Sequence, residues 1–238
     1  MRRIRLPVGR SLFVALAFLF ALVALLPLRL AVSWMALEER GLSARAASGS
    51  LWFGMLQEAR LGPVPLGDVS ARLNLLPLFL GKARLALASE DPDNGISGAI
   101  VATRSGFAFD SIDGRLGGLV LPHVPVGRVE LDDFSAGFAN GQCVMAGGRL
   151  RVFAGGDLAA LGLANGLSGV PRCDGEALLL PLAGRSGLER IDIRLFADGR
   201  YRAELRVAAG DPAMGQRLAA AGLQPVAGGY GLRFDGRF

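Results

Sequence analysis

Residues Ser11 to Leu28 form a run of 18 positions without a charge, SLFVALAFLFALVALLPL, held between Arg10 and Arg29. As a helix rising 1.5 Å per residue it covers about 27 Å, close to the roughly 30 Å hydrocarbon core of a bilayer. Arg2, Arg3, Arg5 and Arg10 lead into it, and Glu38 and Glu39 follow. Basic residues in short flanking segments stay on the cytoplasmic side, so the chain is expected to run N-in, C-out. This divides the sequence into a basic cytoplasmic leader (1–10), a single transmembrane anchor (11–30) and a periplasmic portion (31–238). Two alternatives stay open, a soluble core segment and a cleaved signal peptide. For the second, Ala31-Val32-Ser33 offers the small residues a signal peptidase accepts, and Leu12 to Leu26 sits at the upper limit of about 15 residues for a signal core. Anchor and signal peptide alike place the remainder outside the cytoplasm.

The formal charge of +5 comes mostly from the leader. Without its four arginines, 22 basic residues face 21 acidic ones. An exported portion that is nearly neutral lacks the clustered basic face that nucleic-acid binding requires. Lys82 is the only lysine, so the pI of about 10.2 reflects arginine usage and not a basic patch. Glycine is abundant at 34 residues and aromatic content is low, a composition that suits many short strands joined by glycine turns.

Alternation of apolar and polar residues supports that reading. Leu42, Ala44 and Ala46 alternate with Ser43, Arg45 and Ala47. Val69, Ala71 and Leu73 oppose Ser70, Arg72 and Asn74, and Ala83, Leu85 and Leu87 repeat the pattern. Pro77 makes Leu75 to Leu80 a connection across an end of the sheet. Further strands are expected at Ile96–Thr103, Phe107–Ser111, Arg115–Leu121, Val126–Leu131, Ser135–Phe138 and Cys143–Phe153. Cys173 opens another, in which Pro181 points to an edge position. The clearest hairpin joins Ile191–Leu195 to Tyr201–Val207 through Asp198-Gly199. A helical turn is expected at Asp157–Leu163, and a short interfacial helix at Trp34–Arg40. A helix capped by Asp211, with Pro212 in its first turn, carries Met214, Leu218 and Ala221 on one side and stops at Gly222. Gly231–Phe238 closes the chain as a last strand. Leu61–Val69 and Leu121–Val129 share their leucine, Val-Pro, glycine and final valine at an offset of 60, so two related units at about 41–110 and 111–238 stand as one reading and chance similarity in a Gly/Pro-rich chain as the other.

Candidate chemistry is sparse. His123 is the only histidine and lies in a proline-rich turn, so a two-histidine metal motif is excluded and any Ser-His-Asp triad depends on that residue. Asp132-Asp133 are consecutive on a strand, and consecutive strand side chains point to opposite faces, which is unsuited to acid/base work. Asp91-Pro-Asp-Asn-Gly95 resembles the start of a calcium loop, but Ala102 stands where a bidentate glutamate is needed. The glycine pairs 117–118, 147–148 and 155–156 read as turns, and no catalytic motif occurs. Cys143 and Cys173 are the only cysteines. In an oxidising compartment an even pair in a strand-rich domain reads as a disulfide, with two buried thiols as the alternative. Two cysteines without nearby histidines leave a tetrahedral zinc short of ligands.

Several stretches, taken in order, resemble protein N of the type II secretion system. They are the N-terminal anchor, GLSARAASGSLWFG (41–54), PLGDVSARL (65–73), CDGEA (173–177), DGRY (198–201), and Gly228 onwards with its closing GLRFDG. The resemblance implies a non-enzymatic inner-membrane protein with a periplasmic domain, accessory to the assembly that exports folded proteins. Other inner-membrane components of the apparatus are then its partners, and no cofactor is implied. The expected fold is mainly β, an antiparallel, elongated or groove-like sheet with one or two short helices. A lipid-handling groove protein and, more remotely, an exported enzyme are the competing functions. Lipid is accordingly a second candidate ligand.

Overall fold

A computed structural model describes residues 12–18, 21, 42–61, 64–89, 91, 95–117, 120–121, 124–155, 166–208, 210, 212–220 and 222–237. Expectations at Trp34–Arg40, Asp157–Leu163, His123, Asp211 and Ala221 lie outside these. Residues 12–18 are helical, and Leu12, Phe13, Val14, Leu16 and Phe18 are all exposed. Among the described residues no helix is long and apolar enough to cross a membrane.

The rest is an antiparallel sheet of 17 strands. The first ten are β1 (Leu42–Ser43), β2 (Ala46–Gly49), β3 (Gly54–Leu61), β4 (Val64–Asn74), β5 (Ala83–Ser89), β6 (Ile96–Ala102), β7 (Gly106–Gly117), β8 (Val120–Leu121), β9 (Val124–Ala139) and β10 (Gln142–Ala154). There follow β11 (Leu167–Gly169), β12 (Arg172–Asp174), β13 (Ala177–Gly184), β14 (Glu189–Leu195), β15 (Arg200–Val207), β16 (Gln224–Val226) and β17 (Gly229–Arg237). Pairing runs from β1 and β2 through β3, β4, β5, β6, β7, β9 and β10. It continues through β11 and β12 to β13, then β14, β15, β17 and β16. Among the described residues no pairing joins β1–β2 to β16–β17. Among the described residues the sheet is therefore open, with no partner strand at either edge.

Long strands accommodate curvature through bulges, which insert a residue and bend the strand. Glu58, Ser111 and Asp133 adopt positive φ at such register shifts. Each is tied to the next strand by a side chain: Glu58 N–H donates to Asp68 (2.9 Å), Ser111 N–H to Ser135 (3.1 Å) and Asp133 N–H to Asp113 (2.7 Å). The bulge at Ser111 also explains why the expected Phe107–Ser111 and the first part of the expected Arg115–Leu121 are one strand, whereas Val120–Leu121 is the separate β8, paired with β9. β7 carries straight through it, and β9 likewise joins Val126–Leu131 to Ser135–Phe138.

One face of the sheet carries the core. Leu56, Leu66, Val69, Ala71, Leu87 and Leu116 bury together from β3, β4, β5 and β7. Ala136, Phe138, Leu150, Leu167, Leu178 and Leu182 form a second cluster across β9 to β13. Leu205, Val207, Leu218 and Leu223 form a third, where helix Pro212–Ala220 packs against β15. The opposite face holds charged ladders such as Arg115–Glu130–Arg151.

Three expectations are corrected. Pro181 is not on an edge: β13 pairs with β14 on one side and with β11 and β12 on the other. The proline falls in the break between β11 and β12, where its missing N–H costs no ladder bond. The run beginning at Cys173 is a hairpin and not one strand, because Gly175 turns at φ 61° between β12 and β13. The expected connection at Leu75–Leu80 is present at an end of the sheet, where the short helix Leu75–Phe79 joins neighbouring strands and is stopped by Gly81 at φ 72°. The Asp198-Gly199 hairpin forms, but only Gly199 is left-handed (φ 83°), and Phe196 N–H donates to Arg200 O. That is a turn with a glycine bulge and not a two-residue connection.

Candidate functional site

The connections β4–β5, β6–β7 and β9–β10 all lie at one end of the sheet. Turn residues are ordinarily polar, yet the first of these reads Leu75-Leu-Pro-Leu-Phe-Leu80. Leu76 is 81% exposed and Leu80 is 79% exposed, with Leu78 also on the surface. Phe53 (69% exposed) stands one strand over, with the Arg72 guanidinium 5.6 Å from its ring centre. Phe107, Val144 and Met145, near the starts of β7 and β10, extend the patch. Among the described residues between 42 and 154, every exposed large apolar side chain falls at this end. Exposed apolar side chains gathered at one end of a sheet are candidates for an interaction site.

Beneath the patch the end is firmly built. Phe107 packs on Phe138 with ring centres 5.5 Å apart and on Phe109 edge-to-face at 6.0 Å. Cys143, opposite Phe138 in the ladder, forms a disulfide with Cys173, with their Cα atoms 5.4 Å apart. That bond ties β12 to β10 and holds the two halves of the sheet together beside the patch. The tight β9–β10 turn is Asn140-Gly141, both left-handed at φ 51° and 78°. An Asn-Gly pair between apolar runs is a strong hairpin signal that the sequence carried and the strand-by-strand reading passed over.

From β4 to β10 the charge at this end is mostly positive, whereas Asp174 and Glu176 at the β12–β13 turn and Asp198 at the β14–β15 turn are exposed at the same end. Arg72, Lys82, Arg84 and Arg104 stand on it, and from β4 to β10 the only acidic residue near it is Asp110, which pairs with Arg84. An apolar centre with a basic rim fits an acidic, apolar partner surface.

The sequence-derived chemical candidates do not assemble here. Asp132 pairs with Arg149 at 3.1 Å, and Asp133 occupies a bulge through its backbone. Both are exposed, on the surface of the sheet. His123 lies outside the described residues. Among the described residues no cluster of three His, Cys, Asp or Glu side chains can hold a metal. The apolar patch itself was missed as a site; its signal was five apolar residues inside a turn.

Comparison with known proteins gives one match. A family model described as type II secretion system (T2SS), protein N covers residues 40–233, most of the chain. No curated protein and no solved structure matches it. That family is a component of the secretion apparatus and is not known as an enzyme, and membership implies interaction with other components. The chain belongs to the type II secretion system protein N family.

Proposed function

We propose that the protein is an accessory inner-membrane component of the type II secretion system, supporting export of folded proteins by protein–protein contact. The apolar, basic-rimmed end of the sheet carries this reading, because it offers a docking surface and no reaction centre. In this reading residues 1–10 are cytoplasmic, 11–30 anchor the chain and 31–238 lie in the periplasm. The exposed apolar side chains of the helical run 12–18 support the anchor, since a surface of leucine, phenylalanine and valine is stable in hydrocarbon. The partner is another component of the apparatus that presents an acidic rim around an apolar centre.

A lipid-handling groove has less support. The inner face is occupied by its own side chains, with Val69, Ala71, Leu178 and Leu182 all buried in its clusters.

Deleting the protein tests the function. Exoproteins are expected to accumulate in the periplasm, fully or in part, and to return to the medium on complementation. Complementation by Leu76→Asp/Leu80→Asp, which alters exposed positions only, should fail even though the variant accumulates normally. Unimpaired secretion in the deletion strain contradicts the proposal.

A further inference from the structure

The free edge of β17 is self-complementary. β16 covers β17 only at Gly229, Tyr230 and Gly231, so from Leu232 to Arg237 the strand has β15 on one side and no described strand on the other. An edge of this kind can accept another strand. Arg233, Asp235 and Arg237 are exposed on the charged face, while Leu232, Phe234 and Gly236 are half-buried on the other.

Two copies of one edge pair antiparallel about a two-fold axis normal to the sheet. Residues opposite each other must then share a face, so the axis passes through a residue and not between two. Four centres are available on the open stretch. Centring on Arg233 sets arginine against arginine, and centring on Asp235 sets aspartate against aspartate and Arg233 against Arg237. Centring on Phe234 sets Arg233 against Asp235 twice, Leu232 against Gly236 twice, and Phe234 against itself. Centring on Gly236 sets Asp235 against Arg237 twice, but it pairs those residues alone and continues each row into Arg200, a charge like that of Arg237. Like charges directly opposite are unfavourable and opposite charges favourable, so the register centred on Phe234 fits best.

The neighbouring strand extends the match. Arg202 already bonds Asp235 at 2.8 Å, and Glu204 already bonds Arg233 at 2.7 Å. Across the axis each row becomes Arg202, Asp235, then the other copy's Arg233 and Glu204, alternating in sign over four strands. No charge loses its existing partner. Exposed ion pairs contribute little energy each, so their role is to select register while backbone bonds and the Phe234 contact hold the pair.

We propose that the protein forms a symmetric dimer through antiparallel pairing of β17 with β17 of a second copy, centred on Phe234. The strands from which residues 1–41 lead off then lie at the far ends of a doubled sheet. Both reach one membrane when the sheet lies along it. The pairing uses β17, at the opposite edge in strand order from β2–β10, and none of the apolar patch residues, so it stands or falls independently of the docking surface.

Cysteine cross-linking in the full chain tests it, since Cys143 and Cys173 are already bonded to each other. Phe234→Cys is expected to give a reducible species of twice the mass under mild oxidation, at least several-fold above Ser48→Cys on the opposite edge. The exposed pair Arg233→Cys and Asp235→Cys, which leaves the core untouched, should cross-link when co-expressed and much less when either is made alone. Three results overturn the proposal: no dimer at any of these positions, equal dimer at all of them, or cross-linking of Asp235→Cys to Ser48→Cys, which indicates head-to-tail stacking.

Discussion

Glu58, Ser111 and Asp133 show how single residues set the curvature of a long sheet. Left-handed backbone is unfavourable for residues with a Cβ, so each position needs a compensating bond. The bonds come from Asp68, Ser135 and Asp113 on adjacent strands. Asp113→Ala is expected to cost about 0.5–1.5 kcal/mol by removing the acceptor for the Asp133 N–H, whereas Asp113→Asn keeps an acceptor and costs less. Urea unfolding followed by circular dichroism separates the two. In the core, Leu182 is 1% exposed, and Leu182→Ala should cost about 2–5 kcal/mol in the same assay. At the Phe196–Arg200 turn, the Arg200 side chain and then its backbone N–H hold the Asp198 carboxyl below its ordinary value. A depressed carboxylate stabilises the fold above the unfolded-state value and loses that contribution as pH falls through the folded value. Thermal midpoints should therefore drop less between pH 4 and pH 2 in Asp198→Asn than in the parent. An equal drop in both removes the turn from the acid response.

Among the elements, β10 and β12 are joined by a disulfide closing a separation of 30 residues. In the chain-entropy model such a closure is worth about 3–4 kcal/mol. Reduction is expected to lower the urea midpoint accordingly, with the Cys143→Ser/Cys173→Ser variant matching the reduced parent. The strands were legible because one face is buried: Val69, Ala71 and Leu87 alternate with Arg72 and Ala88 along β4 and β5. Bulges hid the continuity of β7 and β9, since an inserted residue resets the period of two that defines a strand. In the Leu61 and Leu121 stretches, Leu61 lies opposite Val64 and Leu121 opposite Val124. Pro181 misled because a break between two partner strands imitates an edge. Strand order was beyond reach, because alternation shows which face is buried and not which neighbour covers it.

At the scale of the whole molecule, the β2–β10 part of the sheet carries its exposed apolar side chains at one end, and β17 carries self-complementary charges at one edge. The family was legible from motif order, whereas the docking end was not. Leu75–Leu80 reads locally as a connection, and only the fold shows that Phe53, Phe107 and Val144 join it. The central claim is that this end contacts another part of the secretion apparatus. Site-specific photo-cross-linking in living cells tests it directly, with p-benzoylphenylalanine placed at Leu76 or Leu80 and, as a control, at Arg185 in the β13–β14 turn at the other end of the sheet. An adduct containing another secretion component at Leu76 and Leu80, and none at Arg185, is the predicted result. Adducts to lipid alone at these leucines, or no adduct at either, would contradict it.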